Sequence, residues 1–354
     1  MKLSSTFAVL AAAFWLTSAS IAAAGTVYVP LGSAGAVVVI DSTSDRIVGT
    51  IGGMADVHGL GSVAHGQYLV AGSYAEAAPG QATPPAKPEG VSEEEHAAHH
   101  PSAADRATKR PPRAISVVSV IRIEDQAVVR RVEVPGAVHH VAVAPDGRYA
   151  IATHPNDDGI SDIDLATFAV SDIIRTGPLP NYVVFSADGM LAYVSNAGNG
   201  TVSEIDTKAW IVRRNMLVGS SPEHVVLSTD GQTLYVANVE AGAISVVSLA
   251  RGEVVRTYAV GGEIHGLGLS DDGHTLFASG KGENKLVAID LATGASRSRP
   301  LGPAPYHLAV IPGAGKLYVS SRAEAKIWVV NQQTLDAEGV IPIRGEGHQM
   351  VVMR

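Results

Sequence analysis

Val225-Val226-Leu227-Ser228-Thr229-Asp230-Gly231-Gln232-Thr233-Leu234-Tyr235-Val236-Ala237-Asn238 is two short apolar runs around an Asp-Gly pair. Such a pair between apolar runs signals a β-hairpin, because the tight turn needs a positive φ that glycine reaches without steric penalty. The pattern recurs along the chain. Asp146-Gly147, Asp188-Gly189, Asp230-Gly231 and Asp272-Gly273 follow one another at 42 residues, and Ala314-Gly315 takes the next place. A first strand precedes each turn (Val141-Ala142-Val143, Val183-Val184-Phe185, Leu267-Gly268-Leu269, Leu308-Ala309-Val310) and a second follows (Leu191-Ala192-Tyr193-Val194, Leu276-Phe277-Ala278, Leu317-Tyr318-Val319). A third ends in Ile163-Asp164, Ile205-Asp206, Val247-Ser248 or Ile289-Asp290, and a fourth comes after it, as in Val254-Val255-Arg256. Four short antiparallel strands per period predict an all-β propeller; a helical repeat would show apolar residues at a spacing of about 3.6.

First strands begin near His58, His139, Asn181, Glu223, His265, His307 and His348, which predicts seven blades. The last has a single strand at 349–353, while the N-terminal part supplies three, around Val27-Tyr28-Val29, 36–40 and 47–51, with no first strand. The two ends are therefore expected to share one blade and close the ring, which removes its open edge.

Composition narrows the function classes. The chain has 354 residues, 46% of them hydrophobic and 17% charged, with a formal net charge of −8. A nucleic-acid binder would need a basic face to replace the counterions around phosphates, so no nucleic-acid partner is expected. The absence of cysteine removes disulfides, zinc-thiolate and iron–sulfur sites, covalent c-type haem and a cysteine nucleophile. No Gly-x-Ser-x-Gly elbow, phosphate loop or His-Glu-x-x-His helix is found. Lys2, the small and apolar residues 7–15, and Ala22-Ala23-Ala24 read as a secretory signal over 1–24, leaving a propeller over 25–354. That run is shorter than the ~20 apolar residues of a membrane span, so an exported protein, periplasmic where the source has two membranes, is expected. Blade two carries an insertion over 76–113, rich in proline, with Glu93-Glu94-Glu95 followed by His96, His99 and His100. Such a composition buries no core and predicts a disordered loop.

Many of the 13 histidines are phased with the repeat. Seven residues before each turn stand His58, His139, Asn181, Glu223, His265 and His307, and His348 is the counterpart in the closing blade. Five of the seven are histidine, where the composition alone gives about 0.3. His140 and His224 come one residue later, and strand alternation sends them to the opposite side. Inner strands surround the axis, so the five imidazoles are expected to converge at one channel mouth. His154, Asn196, Asn238, Gly280 and Arg322, at the ends of second strands, belong to the same face. Neutral imidazoles around a concavity with a carboxylate nearby suit Zn²⁺, Cu²⁺ or Ni²⁺, and Glu223 or Asp157 could complete the shell. The candidate metal set is thus His58, His139, His265, His307 and His348, then His140, His224, Glu223 and His154, with His96, His99 and His100 as accessory capture groups. One zinc takes only three or four ligands, so either a subset binds or the site holds more than one ion. A histidine copied round the ring by duplication, bonded to a neighbouring carbonyl, would need no ligand.

Leu234-Tyr235-Val236-Ala237-Asn238, and Tyr193-Val194-Ser195-Asn196 with Ile205-Asp206, resemble the YVTN-repeat propellers of exported bacterial proteins over nearly the whole mature chain. The resemblance implies the fold and leaves the activity open. The histidine ring is similar to that of the nitrous oxide reductase propeller, which holds a multinuclear copper cluster, but the cysteine-bearing domain of that enzyme has no counterpart here. Haem d1 propellers are also exported and repeat-built, and a histidine could serve as an axial ligand there, yet those of nitrite reductases have eight blades. Periplasmic zinc-chaperone propellers carry a His-rich loop similar to this insertion. The expected function is therefore an exported zinc- or copper-binding propeller, as a carrier or a metalloenzyme, with a periplasmic transport or protein partner. The alternatives are a non-enzymatic platform for a ligand or protein, a haem d1-type propeller, and a hydrolase built on Glu223 with His265.

Overall fold

The structure, a computed structural model, describes residues 25–63, 66–79, 114–171 and 173–353. Among them, 28 strands form seven antiparallel sheets of four. Blade one joins Val351–Met353 to Thr26–Pro30, Val37–Asp41 and Arg46–Ile51. Its closing ladder pairs Val351 with Tyr28, Val352 with Val27 and Met353 with Thr26. The remaining blades follow in chain order, with inner strands Val57–Gly61, Val141–Val143, Pro180–Phe185, Pro222–Leu227, Leu267–Leu269 and Pro305–Ile311. The seven-bladed ring closed by both chain ends is as the repeat predicts.

The Asp-Gly hairpins form for the expected reason. Gly147, Gly189, Gly231 and Gly273 have φ between 69° and 73°. In each turn the Asp carboxylate accepts the backbone N–H two residues on, at 2.9–3.0 Å. Apolar side chains from facing sheets fill the gap between every pair of neighbouring blades, giving seven separate core clusters. The core is therefore a ring of wedges, and the space on the axis is left to the residues at the inner-strand starts.

One register differs from the spacing argument. Tyr318-Val319 lies 83 residues after Tyr235-Val236, one short of two full periods. Strand pairing confirms the slip: Val225 faces Val236 in blade five and Leu308 faces Val319 in blade seven. Gly313 thus takes the Asp place of the turn, and His307 is the counterpart of His224, not of Glu223. By the same slip Ser321, not Arg322, ends the second strand of blade seven and faces Pro305.

Residues 76–79 of the insertion are described, and Glu76 Oε1 accepts the N–H of Ala137 at 2.9 Å. His96, His99 and His100, like the expected signal over 1–24, lie outside the described residues. No helix among the described residues is long and apolar enough to cross a membrane.

Candidate metal centre

The inner strands begin with a β-bulge. Two residues, Glu223 and His224, oppose the single Ala237, and Tyr306 with His307 likewise oppose Ser320. In blade three the N–H of His139 bonds Thr153 O and the N–H of Thr153 bonds His140 O, both at 3.0 Å. A bulge suspends the alternation of strand side chains, so both of its residues can address the axis. This corrects the expectation that His140 and His224 point away. The first bulge position is His58, His139, Asn181, Glu223, His265, Tyr306 and His348 around the ring; the second is Gly59, His140, Tyr182, His224, Gly266, His307 and Gln349. Gly59 and Gly266 are required by close approach, since a Cβ would lie 2.8 Å from His140 C and 2.6 Å from Tyr306 O. Hydroxyls on second strands rivet the bulges to the next blade: Thr153 Oγ1 donates to Asn181 O at 2.9 Å and Ser195 Oγ to Glu223 O at 2.6 Å.

The seven bulge histidines are only 2–4% exposed. They plug the channel instead of ringing an open mouth. His224, His265 and His307, from three consecutive blades, offer nitrogens that all lie within 4.8 Å of one another. Their ring centroids form a nearly equilateral triangle, at 4.7, 4.8 and 4.8 Å. Three imidazoles on one tetrahedral ion would place centroids about 5 Å apart and nitrogens about 3.4 Å apart. Small ring rotations therefore separate this arrangement from a metal geometry. A second group, His58, His139 and His348, spans blades one to three, with centroids 4.0 and 4.4 Å apart across the shared His58.

Electrostatics favour neutral imidazoles. Burial lowers His224 to about 3, and burial, then neighbouring histidines, hold His58, His140 and His307 well below the usual histidine range. Glu223 Oε2 lies 3.1 Å from His265 Nδ1. Burial pushes this carboxyl up to about 7, with Glu263 adding to the rise and Lys281 opposing it. Tyr306 stacks on His265 at 3.9 Å and 11°, and Arg322, paired with Glu346, lies over the Tyr306 ring with its guanidinium carbon 5.2 Å from the centroid. His140 has both nitrogens, and His307 its Nε2, buried without a hydrogen bond. Such a group costs about 1–3 kcal/mol unless something else engages it.

His154 is placed elsewhere. Its Nε2 meets Ser161 Oγ at 2.8 Å and its Nδ1 meets Ala137 O at 3.2 Å, so it ties second and third strands together. Asn196 and Asn238 do the same through Nδ2, to Ser203 and Ser245, both at 2.8 Å. Asp157 ends the short 3₁₀ turn Pro155–Asp157 and does not join the clustered imidazoles. Tyr306 and Tyr182, which the spacing argument passed over, wall the cluster; reading the repeat from the Tyr-Val pairs of second strands would have found Tyr306.

Comparison with known proteins agrees with the architecture. The family model described as YNCE-like beta-propeller matches residues 116–314. The match spans more than half of the chain, which belongs to that family. No curated protein matches the sequence. Among solved structures, Kuenenia stuttgartiensis hydrazine synthase is 15% identical with TM-score 0.68, covering 88% of this chain and 93% of that one. The periplasmic gluconolactonase PpgL of Pseudomonas aeruginosa is 16% identical with TM-score 0.66, covering 93% and 99%. A functionally unknown protein from Desulfotomaculum acetoxidans is 13% identical with TM-score 0.70, also covering 93% and 99%. At these identities the likeness is one of fold.

Proposed function

We propose that this YNCE-like propeller binds a transition-metal ion, zinc or copper, through His224, His265 and His307 inside its channel. One observation carries the reading: three buried imidazoles from separate sheets meet within 4.8 Å. Glu223 supports it, because a ligating histidine commonly gives its other N–H to a carboxylate, which fixes the tautomer and aims Nε2 at the metal. The unbonded Nε2 of His307 supports it too. Three protein nitrogens leave one tetrahedral position for water or a transferred ligand. We further propose export, on the strength of the N-terminal signal pattern; the protein recovered from producing cells should then begin near residue 25. The test is elemental analysis of untagged protein equilibrated with Zn²⁺ or Cu²⁺ and dialysed. Retained metal in the wild type, lost in His224→Leu and His307→Leu, is expected; no retained metal in the wild type overturns the proposal.

A second reading rests on the Glu223–His265 pair. A carboxyl held near 7 beside an imidazole can act as a general base at neutral pH. One fold neighbour is named a periplasmic gluconolactonase, so a sugar lactone is the substrate to try. Hydrolysis by metal-stripped protein, abolished in Glu223→Gln, would favour this reading over metal binding.

A further inference from the structure

We propose that the axial cavity beyond the histidine layer binds a small uncharged aromatic molecule bearing a hydroxyl, which His140 hydrogen-bonds. The site does not depend on the metal reading. It begins at the second bulge position and runs toward the Asp-Gly hairpins, away from Glu223. The inner strands of blades one to four wall it, and Leu60, Val63, Val143, Phe185 and Val351 make that wall apolar. The cavity has a volume of about 470 Å³ and opens to solvent. A cavity that takes benzene is about 150 Å³, so two fused rings fit with room to spare. Among the described residues that line it there is no Lys, Arg, Asp or Glu. An ion entering would shed its hydration without meeting a counter-charge, whereas an uncharged ring would lose little.

The polar side chains on the wall select the ligand's head. Ser62 Oγ donates to Tyr68 O at 2.8 Å. Gln349 ties blade one to its neighbours, accepting the N–H of Leu60 at 3.1 Å and donating to Val141 O at 3.3 Å. His140 differs from both. It is 3% exposed, and both ring nitrogens are buried without a hydrogen bond. The imidazoles that meet within 4.8 Å do not include it. Burial, then His224 and His139, keep it neutral, so one nitrogen can accept an O–H and the other can donate. No hydrogen bond resists a turn of this ring that brings a nitrogen to the cavity, and a bound hydroxyl would remove the cost of leaving it unbonded. Tyr182 packs on His140 with centroids 3.5 Å apart, and Phe185 follows on the same strand. Two aromatic side chains on the wall favour an aromatic ligand.

The experiment is a fluorescence titration of the metal-free full chain with β-naphthol, run beside naphthalene, β-naphthyl methyl ether and β-naphthoate. Wild type is expected to bind β-naphthol about tenfold more tightly than naphthalene or the ether, neither of which donates a hydrogen bond, and β-naphthoate more weakly still. His140→Phe keeps a ring against Tyr182 and is expected to bind β-naphthol and naphthalene equally. Circular dichroism checks that the variant folds; should it not, β-naphthol against its methyl ether on the wild type decides alone. No binding of β-naphthol, equal affinity for its ether, or β-naphthoate binding as tightly as β-naphthol overturns the proposal. So does a preference for β-naphthol that persists in folded His140→Phe. Because every titration uses metal-free protein, failure here leaves the site of His224, His265 and His307 standing, and a chain that retains no Zn²⁺ can still meet this test.

Discussion

His154 and His140 stand one strand apart in the same blade, both buried and both at places the repeat marks in other blades. The first has a partner on each ring nitrogen, Ser161 Oγ and Ala137 O. The second has none on either. His154 lies at a second-strand end, where the register of the sheet supplies a hydroxyl seven residues later, as it does for Asn196 and Asn238. His140 lies in a bulge that faces the axis, where its ring meets Tyr182 of the next blade and the imidazoles of His224 and His139. Repeat phasing therefore selects two kinds of polar residue equally well, and hydrogen-bond satisfaction separates scaffold from site. Buried polar groups are nearly always bonded, so an unbonded ring such as that of His140 has another use or a standing cost.

Acid should break the contrast most severely. His58, His140, His224 and His307 resist protonation in the fold but accept protons near pH 6.5 once unfolded. The unfolded chain thus binds more protons as pH drops below 6.5, and stability falls with it. Glu223 works the other way: its raised value gives stability that is full below about 4.5 and lost as pH rises toward 7. Between 4.5 and 6.5 the four histidines outweigh the one carboxyl, so the net effect is a loss of stability as pH falls. Urea midpoints of metal-free protein at pH 7.0 and 5.5 check it (pH values about those of ordinary buffers); an unchanged midpoint would mean the histidines already carry partners.

Ligand removal comes next. His307→Leu should weaken Zn²⁺ binding by more than about 100-fold, near 2.7 kcal/mol, while leaving metal-free stability unchanged or raised, because it deletes an unbonded nitrogen. Calorimetric titration and urea unfolding of the same sample test both halves. His154→Ala should do the reverse, destabilising by about 2 kcal/mol as Ser161 and Ala137 lose their partner, with Zn²⁺ affinity retained. If His154→Ala also abolished binding, the division into scaffold and site would be wrong. The smallest effect expected is that of Glu223→Gln, about tenfold in metal affinity, since an amide still accepts from His265 but carries no charge to raise its basicity. Equal affinity in that variant would remove Glu223 from the centre.

Much of the architecture is legible in particular residues. The Asp-Gly pairs fix the hairpins because each carboxylate and each glycine has a local role that needs no distant partner. The single strand at one end and the three at the other imply closure because an unpaired edge is unfavourable. The site is legible only in part. The phased histidines mark the axis, but counting back from Ala314-Gly315 sets His307 in the wrong layer, since one residue is missing between blades six and seven. Counting from Tyr235-Val236 and Tyr318-Val319 corrects it. The bulge leaves no comparable mark, so strict alternation turned His140 and His224 outward.

The sequence by itself determined the repeat, the seven blades and the crowding of histidines at inner-strand starts, because hairpin turns and alternating apolar runs are short-range properties of the chain. Which imidazoles meet was decided by the tertiary structure alone. That depends on bulge geometry and on how separate sheets close around an axis, and residues such as His224, His265 and His307 are neighbours only once the ring is shut.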